Sequence, residues 1–172
     1  MLRSLIAKFD SCSLIWIIKA EIFNIMKKLY EKIVITSEIM NETVYKGLKK
    51  GYPDAKIIQD KIINKEILVL ECKEKYYLNL GDGEAEVLSE TQREHKKGIS
   101  TLFITQDKKA KKQAMLNNIP TQGVEICLLE AALKKKITRE EFLAKLYQLG
   151  TEFSIPNERI IEIEKYFEIK GG

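Results

Sequence analysis

The stretch STLFITQD, residues 100–107, decides the fold class because it is a short apolar run that ends in a carboxylate. Its length and its β-branched and aromatic residues indicate a buried strand. A helical pattern at residues 108–116 follows directly, so the strand leads into a helix. The stretch is one strand-then-helix unit, with Asp107 at the junction.

Strands and helical patterns alternate on both sides of this unit. Before it, we predict strands at 5–9, 32–36 and 66–71, with the last of these at a sheet edge. We also predict a helix at 13–30, a helix that begins at Thr36 or Ser37, a short helix after the turn 51–56, and a helix with Asp82 as its N-cap. After it, we predict a brief strand and a helix within 119–136, then helices at 138–149 and 157–167. Strands separated by helices favour an α/β fold with a parallel sheet covered on both faces.

Length and composition predict one globular domain spanning residues 1–172. The content of 45% hydrophobic and 31% charged residues excludes disordered, collagen-like and membrane proteins. The apolar stretch 13–26 is broken by Lys19 and Glu21 and is shorter than the roughly 20 apolar residues that span a bilayer. Residues 1–10 lack the apolar core and cleavage site of an export signal, so we expect a cytoplasmic protein.

The three cysteines are odd in number and widely spaced, which predicts free core thiols rather than disulfides or a Cys-x-x-Cys metal site. The net charge of +4 is small, but lysines cluster, most densely at KKAKK, residues 108–112. Local basic patches of this kind are compatible with a polyanionic partner. They are equally compatible with a solvated helix face.

Four carboxylates lie close to the ends of predicted strands. Asp10 and Asp107 directly follow strands, Glu84 opens a helix, and Glu42 lies one to two turns into the helix after the second strand. The carboxyl ends of parallel strands meet at one edge of a sheet, where ligands of open α/β folds bind. Four carboxylates drawn together repel unless a cation is shared among them. Mg²⁺ and Mn²⁺ are hard ions that prefer oxygen ligands and promote phosphodiester hydrolysis.

Each of these acids also has an ordinary structural interpretation. Asp107 and Asp10 are preferred N-cap residues for the helices that follow them. Glu84 and Glu86 in the first turn of a helix interact favourably with the helix dipole, whatever their function. Glu42 is also compatible with a surface position, and Ser11 with a helix cap.

Four stretches in order resemble the PIN-domain family, in an uncharacterised prokaryotic branch related to VapC-type toxin ribonucleases. FDSCSLIWIIKA, residues 9–20, is similar to the branch's Asp-x-Ser-x-Leu-Ile opening. IVITSEIMNETV, residues 33–44, resembles its strand followed by a helix with a Glu, and LGDGEAEVL, residues 80–88, its Gly-Glu-x-Glu-Ala-Ile helix start. LFITQDKKAKKQA, residues 102–114, resembles its strand, Asp-Asp and Ala-Arg pattern.

The resemblance implies a three-layer α/β/α sandwich with a parallel sheet of about five strands, C-terminal helices and metal-dependent RNA cleavage. Asp10, Glu42 and Asp107 fall on the family's first, second and fourth acids. Helical periodicity favours Glu84 over Glu86 as the third acid, since Glu86 would turn Ser89 and Glu90 inward, but Glu86 joins the expected metal ligands.

Four residues depart from the branch's pattern. Gln106 replaces the first acid of its Asp-Asp pair, and Cys12 replaces a hydroxyl beside Asp10. Lys111 replaces an arginine, which keeps the charge but loses the bidentate fork. Ile126 replaces a frequent glycine.

These observations predict a Mg²⁺- or Mn²⁺-dependent ribonuclease, with VapC-like toxin activity as a more specific prediction. We expect Asp10, Glu42, Glu84 and Asp107 to be catalytic and to bind metal with Glu86. Three residues are expected to contact the substrate: Ser11, Lys108 and Lys111. The expected partners are RNA, an antitoxin protein and a second copy of the chain, with no membrane partner. A degenerate PIN fold that binds RNA or protein, and a phosphatase, are the alternatives.

Overall fold

A computed structural model of the protein describes residues 5–171. It contains a five-stranded, all-parallel sheet in the order β3-β2-β1-β4-β5. The strands are β1 (Ile6–Phe9), β2 (Lys32–Thr36), β3 (Leu68–Leu70), β4 (Thr101–Ile104) and β5 (Thr121–Gln122). The predicted α/β fold with a parallel sheet of about five strands is therefore confirmed, and β3 lies at the predicted sheet edge.

The first helices are α1 (Ser11–Lys19), α2 (Phe23–Leu29), α3 (Ser37–Met40), a π-helical turn (Asn41–Tyr45), α4 (Lys46–Lys49) and α5 (Pro53–Ile63). The remaining helices are α6 (Asp82–Lys96), α7 (Lys108–Leu116), α8 (Val124–Leu133), α9 (Arg139–Glu152) and α10 (Asn157–Lys170). Helix α6 packs against β1, β2 and β4, and α2 packs against β2 and α8. Helices α9 and α10 pack on α8 and extend this layer.

The central strand β1 separates the two helical layers by its alternating side chains. Lys8 points toward α6, where its Nζ lies 2.7 Å from Glu94 Oε2. Ala7 and Phe9 point to the opposite face and are fully buried. Both faces of the sheet are covered, which is the requirement for a parallel sheet.

The register of β1 and β4 brings their carboxyl ends together. Phe9 pairs with Ile104, and the backbone N–H of Asp10 donates to the Ile104 carbonyl at 3.2 Å. The residues that follow the two strands, beginning with Asp10 and Thr105, therefore lie side by side at one edge of the sheet. This edge is the predicted position of the functional site.

The single helix predicted over residues 13–30 is wrong, because α1 and α2 are separate. Glu21 takes a left-handed conformation with φ of 56°. The N–H of Glu21 donates to the Ile18 carbonyl at 3.1 Å, and the N–H of Ile22 donates to the Ile17 carbonyl at 3.0 Å. This is the Schellman arrangement that ends helices, with glutamate at a position where glycine is usual.

Two expectations for α6 are also wrong. Asp82 is the first residue of the helix, and Gly81 takes the N-cap position. Ser89 and Glu90 were expected to face outward but are buried, because the 71–81 loop covers them. The N–H of Tyr76 donates to Ser89 Oγ and that of Lys73 to Glu90 Oε1, both at 2.9 Å. The loop supplies the partners that these buried polar groups require.

The cysteines do not all lie in the core as expected. Cys127 is buried, Cys72 is half-buried and Cys12 is exposed. Across residues 5–171, no helix combines the length and apolar character needed to cross a membrane. Residues 1–4, part of the segment examined for an export signal and of the predicted domain 1–172, lie outside the described residues.

Candidate active site

Asp10 is held rigidly at the carboxyl end of β1. It is the N-cap of α1, and its Oδ1 accepts a hydrogen bond from the Ser13 N–H at 2.8 Å. Its Oδ2 accepts a hydrogen bond from the Thr105 hydroxyl. Asp10 is almost fully buried, and burial raises its pKa despite these hydrogen bonds. The carboxylate is thus a cap, as one alternative held, and also a costly buried charge.

Glu42 lies in the π-helical turn that interrupts the helix after β2. A π-helical turn widens the helix, and such turns occur frequently at functional sites. The Glu42 carboxylate accepts a hydrogen bond from the Ser11 hydroxyl. Burial raises the pKa of Glu42, and the charges of Glu84 and Glu38 raise it further, while the Ser11 hydrogen bond opposes the rise. Ser11 therefore links α1 to the second acid.

Glu84 and Glu86 have different surroundings. Burial raises the pKa of Glu84, and the charges of Asp10 and Asp107 add to this effect, so the three carboxylates are electrostatic neighbours. Glu86 instead turns to α3, where its Oε2 accepts a hydrogen bond from the Glu38 N–H at 3.2 Å. The structure therefore groups Glu84, and not Glu86, with Asp10 and Asp107.

Asp107 is the N-cap of α7, and its Oδ1 accepts a hydrogen bond from the Ala110 N–H at 2.7 Å. Thr105 connects it to Asp10: the Thr105 hydroxyl donates to Asp10 and accepts from the Asp107 N–H at 3.0 Å. Unlike Asp10, Asp107 is exposed. It forms the open rim of the site above the buried Asp10.

The charges at this edge of the sheet repel one another. The pKa of the neighbouring Cys12 thiol is raised to about 11 by local desolvation and by Asp10, Glu84 and Asp107. A thiol with this pKa stays protonated at neutral pH. The Cys12 thiol therefore lies within the electrostatic field of these three carboxylates.

The residues fit a hard divalent cation by their chemistry. Asp10, Glu42 and Glu84 supply only oxygen donors, and the pKa of each is raised, so a nearby cation would relieve both desolvation and repulsion. Within residues 5–171, no three His, Cys, Asp or Glu side chains are arranged to hold a metal ion as they stand. A cation at this edge of the sheet would therefore bind only after acidic side chains there turn toward one another.

The expected substrate residues lie beside the acids. Lys108 is exposed at the first position of α7, and Lys111 is half-buried one turn later. Lys111 Nζ donates to the Gln106 side-chain oxygen at 3.4 Å. Two basic residues thus lie on the first turn of α7, directly after Asp107.

Two residues near the site were missed by sequence reasoning. Thr105 is fully buried and bridges Asp10 and Asp107, a role that its place between a strand and Gln106 indicates only weakly. Glu125, the second residue of α8, is buried beside Gln106, which donates to its Oε2 at 2.9 Å. An acid in the first turn of a helix is ordinary, so no sequence signal distinguishes Glu125.

The five-stranded, all-parallel sheet with helices on both faces is a PIN-like α/β fold. The chain belongs to the DUF3368 family of PIN domains, whose model matches residues 6–164. The predicted family is therefore confirmed.

Among solved structures, the chain is similar to a PilT N-terminus domain protein from the hyperthermophilic archaeon Sulfolobus solfataricus P2. The two share 18% sequence identity, and the match has a TM-score of 0.51 over 73% of this chain and 92% of that chain. At this identity the likeness concerns the fold. No functionally curated protein matches the chain.

Gly83 gives the Glu42 carboxylate room, so Gly83→Ala is expected to weaken Mn²⁺ binding by about tenfold. A Cβ at this position would lie 3.0 and 3.1 Å from the two Glu42 carboxylate oxygens and 2.6 Å from the end of Ile39. Alanine otherwise favours a helix, so the unfolding temperature should not fall greatly. Calorimetric Mn²⁺ titration of both proteins measures the effect, and equal affinities would show that Mn²⁺ binding does not depend on the space that Gly83 leaves beside Glu42.

Proposed function

We propose that this protein is a Mg²⁺- or Mn²⁺-dependent ribonuclease that hydrolyses phosphodiester bonds in RNA. The observation that carries the proposal is the convergence of Asp10 and Asp107, bridged by Thr105, at the carboxyl ends of β1 and β4. Glu84 at the start of α6 is close enough for both acids to raise its pKa. PIN domains typically comprise nucleases, which supports this class of reaction.

Each acid has a distinct part in this proposal. Buried Asp10, fixed by Ser13 and Thr105, would be the main ligand, with Glu42 and Glu84 completing the set from the π-helical turn and α6. Asp107 is exposed and would orient the attacking water. A bound Mg²⁺ or Mn²⁺ would polarise the scissile phosphate and acidify that water.

Ser11 and the lysines of α7 would position the RNA. Lys108 and Lys111 lie within one turn of Asp107, so their ammonium groups would bind phosphates next to the scissile one. Ser11 already contacts Glu42 and can redirect its hydroxyl to a phosphate oxygen. Sequence specificity does not follow from these contacts, since they address only the backbone.

The test is a cleavage assay with end-labelled single-stranded RNA. We expect strand scission in Mn²⁺ or Mg²⁺ and none after the ion is removed with a chelator. Lys32 is an exposed lysine at the amino end of β2, at the opposite edge of the sheet from the acids. The control variant Lys32→Ala should keep the wild-type rate. Protein that neither binds a divalent ion nor cuts RNA in Mn²⁺ would contradict the proposal.

A second candidate is a degenerate PIN fold that binds RNA or protein without cutting. Gln106 favours it, because this residue replaces an acid and its amide is bound to Glu125 instead of facing a cation. Tight RNA binding that is insensitive to chelator, with no turnover, would support this function. Chelator-sensitive cleavage would exclude it.

A VapC-like toxin role, an antitoxin partner, a homodimer and a cytoplasmic location stay predictions. An adjacent reading frame whose product binds this protein and stops RNA cleavage would support the toxin role. Sedimentation analysis of the purified protein tests the homodimer.

A further inference from the structure

Glu125 is a buried carboxylate for which the proposed reaction has no direct use. Its side chain is 7% exposed, its Oε2 accepts from Gln106 Nε2 at 2.9 Å, and its Oε1 lies 3.9 Å from Arg159 Nε. A buried charge is costly unless hydrogen bonds and counter-charges compensate it. The α8 N-terminus contributes some compensation, but the specific partner is the Gln106 amide.

The other end of the Gln106 amide faces α7. Gln106 Oε1 accepts from Lys111 Nζ at 3.4 Å, while Nε2 donates to Glu125. This orientation is the one that chemistry demands, because a carboxylate needs a donor and an ammonium needs an acceptor. The side chains of Glu125, Gln106 and Lys111 therefore form a row of hydrogen bonds that links α8 to α7.

Gly123 leaves the space that the Gln106 and Glu125 side chains occupy. A Cβ at position 123 would lie 2.3 Å from both Gln106 Oε1 and Glu125 Oε2. Any side chain there would displace the pair. The close approach of the β5–α8 junction to the β4–α7 junction thus depends on this glycine.

We propose that Glu125 is a positioning residue that acts through Gln106 to hold the Lys111 ammonium on the first turn of α7, ready to bind a phosphate of single-stranded RNA. This inference rests on the proposed function. A lysine has many rotamers, and fixing it before binding removes part of the entropy cost of the contact. A glutamine at position 106, unlike an acid, can donate to Glu125 and accept from Lys111 at the same time. The Gln106 amide thereby lets Glu125 fix the position of the Lys111 ammonium.

The test measures RNA binding in chelator, so that no cleavage occurs, over a range of KCl concentrations. Losing one phosphate contact lowers the slope of log K against log[salt] by about 0.7 for a single strand. We expect this loss in Lys111→Ala, with affinity about twofold to fivefold weaker. Glu125→Gln should lower the salt slope by most of the same amount, because an amide at position 125 no longer fixes the orientation of the Gln106 side chain.

Double variants separate positioning from a general effect on the fold. Glu125→Gln should add nothing to Lys111→Ala, whereas it should add to Lys108→Ala, which removes a different contact. If Glu125→Gln does not fold, Gln106→Leu breaks the same chain of contacts, and its slope decides in the same way.

Two results overturn the proposal and are distinguishable. A wild-type slope in Glu125→Gln or Gln106→Leu, with a reduced slope in Lys111→Ala, overturns the positioning role alone. Wild-type protein that binds no single-stranded RNA overturns the proposed function and this inference with it.

Discussion

Asp10→Asn is expected to reduce the rate of RNA cleavage at least about a thousandfold, because the variant loses the main anionic ligand of the cation. Asparagine is as good an N-cap as aspartate and its oxygen can still accept from the Ser13 N–H, so the local structure should persist. Asp107→Asn should also abolish cleavage while keeping the α7 cap. Initial rates in Mn²⁺, measured at saturating RNA, provide the comparison.

Stability of the metal-free protein is the control for Asp10→Asn. Burial raises the pKa of Asp10 above that of the unfolded chain, so its ionisation opposes folding as pH rises from acidic values through the folded-state pKa. The neutral variant avoids this cost and should be about 1 kcal/mol more stable at pH 7. Full cleavage by either variant would show that these acids do not form the active site.

Glu94→Gln is expected to lower the free energy of unfolding by about 3 kcal/mol, the typical cost of breaking a buried ion pair. Lys8 is 1% exposed in the central strand, and its Nζ lies 2.7 Å from Glu94 Oε2. Burial lowers the pKa of Lys8, while Glu94 and Glu90 oppose that shift. Without Glu94, the lysine is either charged and unpaired or neutral and buried. Urea unfolding at pH 7 measures the difference.

Two controls identify the mechanism of this loss. Asp60→Asn breaks an exposed Lys56–Asp60 pair of similar length, 2.9 Å, and should cost less than about 0.5 kcal/mol. Lys8→Met combined with Glu94→Gln removes both charges and should be more stable than Glu94→Gln alone. If Glu94→Gln unfolds at the wild-type urea concentration, Lys8 does not depend on this partner.

The sheet was predictable because its signal is local. Apolar runs such as 5–9 and 100–106, each followed by a helical pattern, indicate parallel strands without further information. Acids at the ends of those runs then converge by topology alone. The order of the strands and helices was therefore enough to predict that Asp10 and Asp107 lie close together. The structure connects the two residues through Thr105.

The features that escaped prediction depend on contacts distant in sequence or on rare backbone conformations. The helix break at Glu21 has no glycine, and hydrophobic periodicity continues across it. Ser89 and Glu90 are polar yet buried because a loop folds over them. Glu125 became notable only when the fold placed Gln106 against it.

A crystal structure of the protein with Mn²⁺, examined for the anomalous signal of the metal, tests most directly whether these acids form a metal centre. We expect a peak bound by Asp10, with Glu42 and Glu84 turned toward it and Asp107 at its rim, and no peak in Asp10→Asn crystals. A wild-type structure with Mn²⁺ absent from this pocket, or bound only elsewhere, would contradict the assignment of these acids as a metal-dependent nuclease centre.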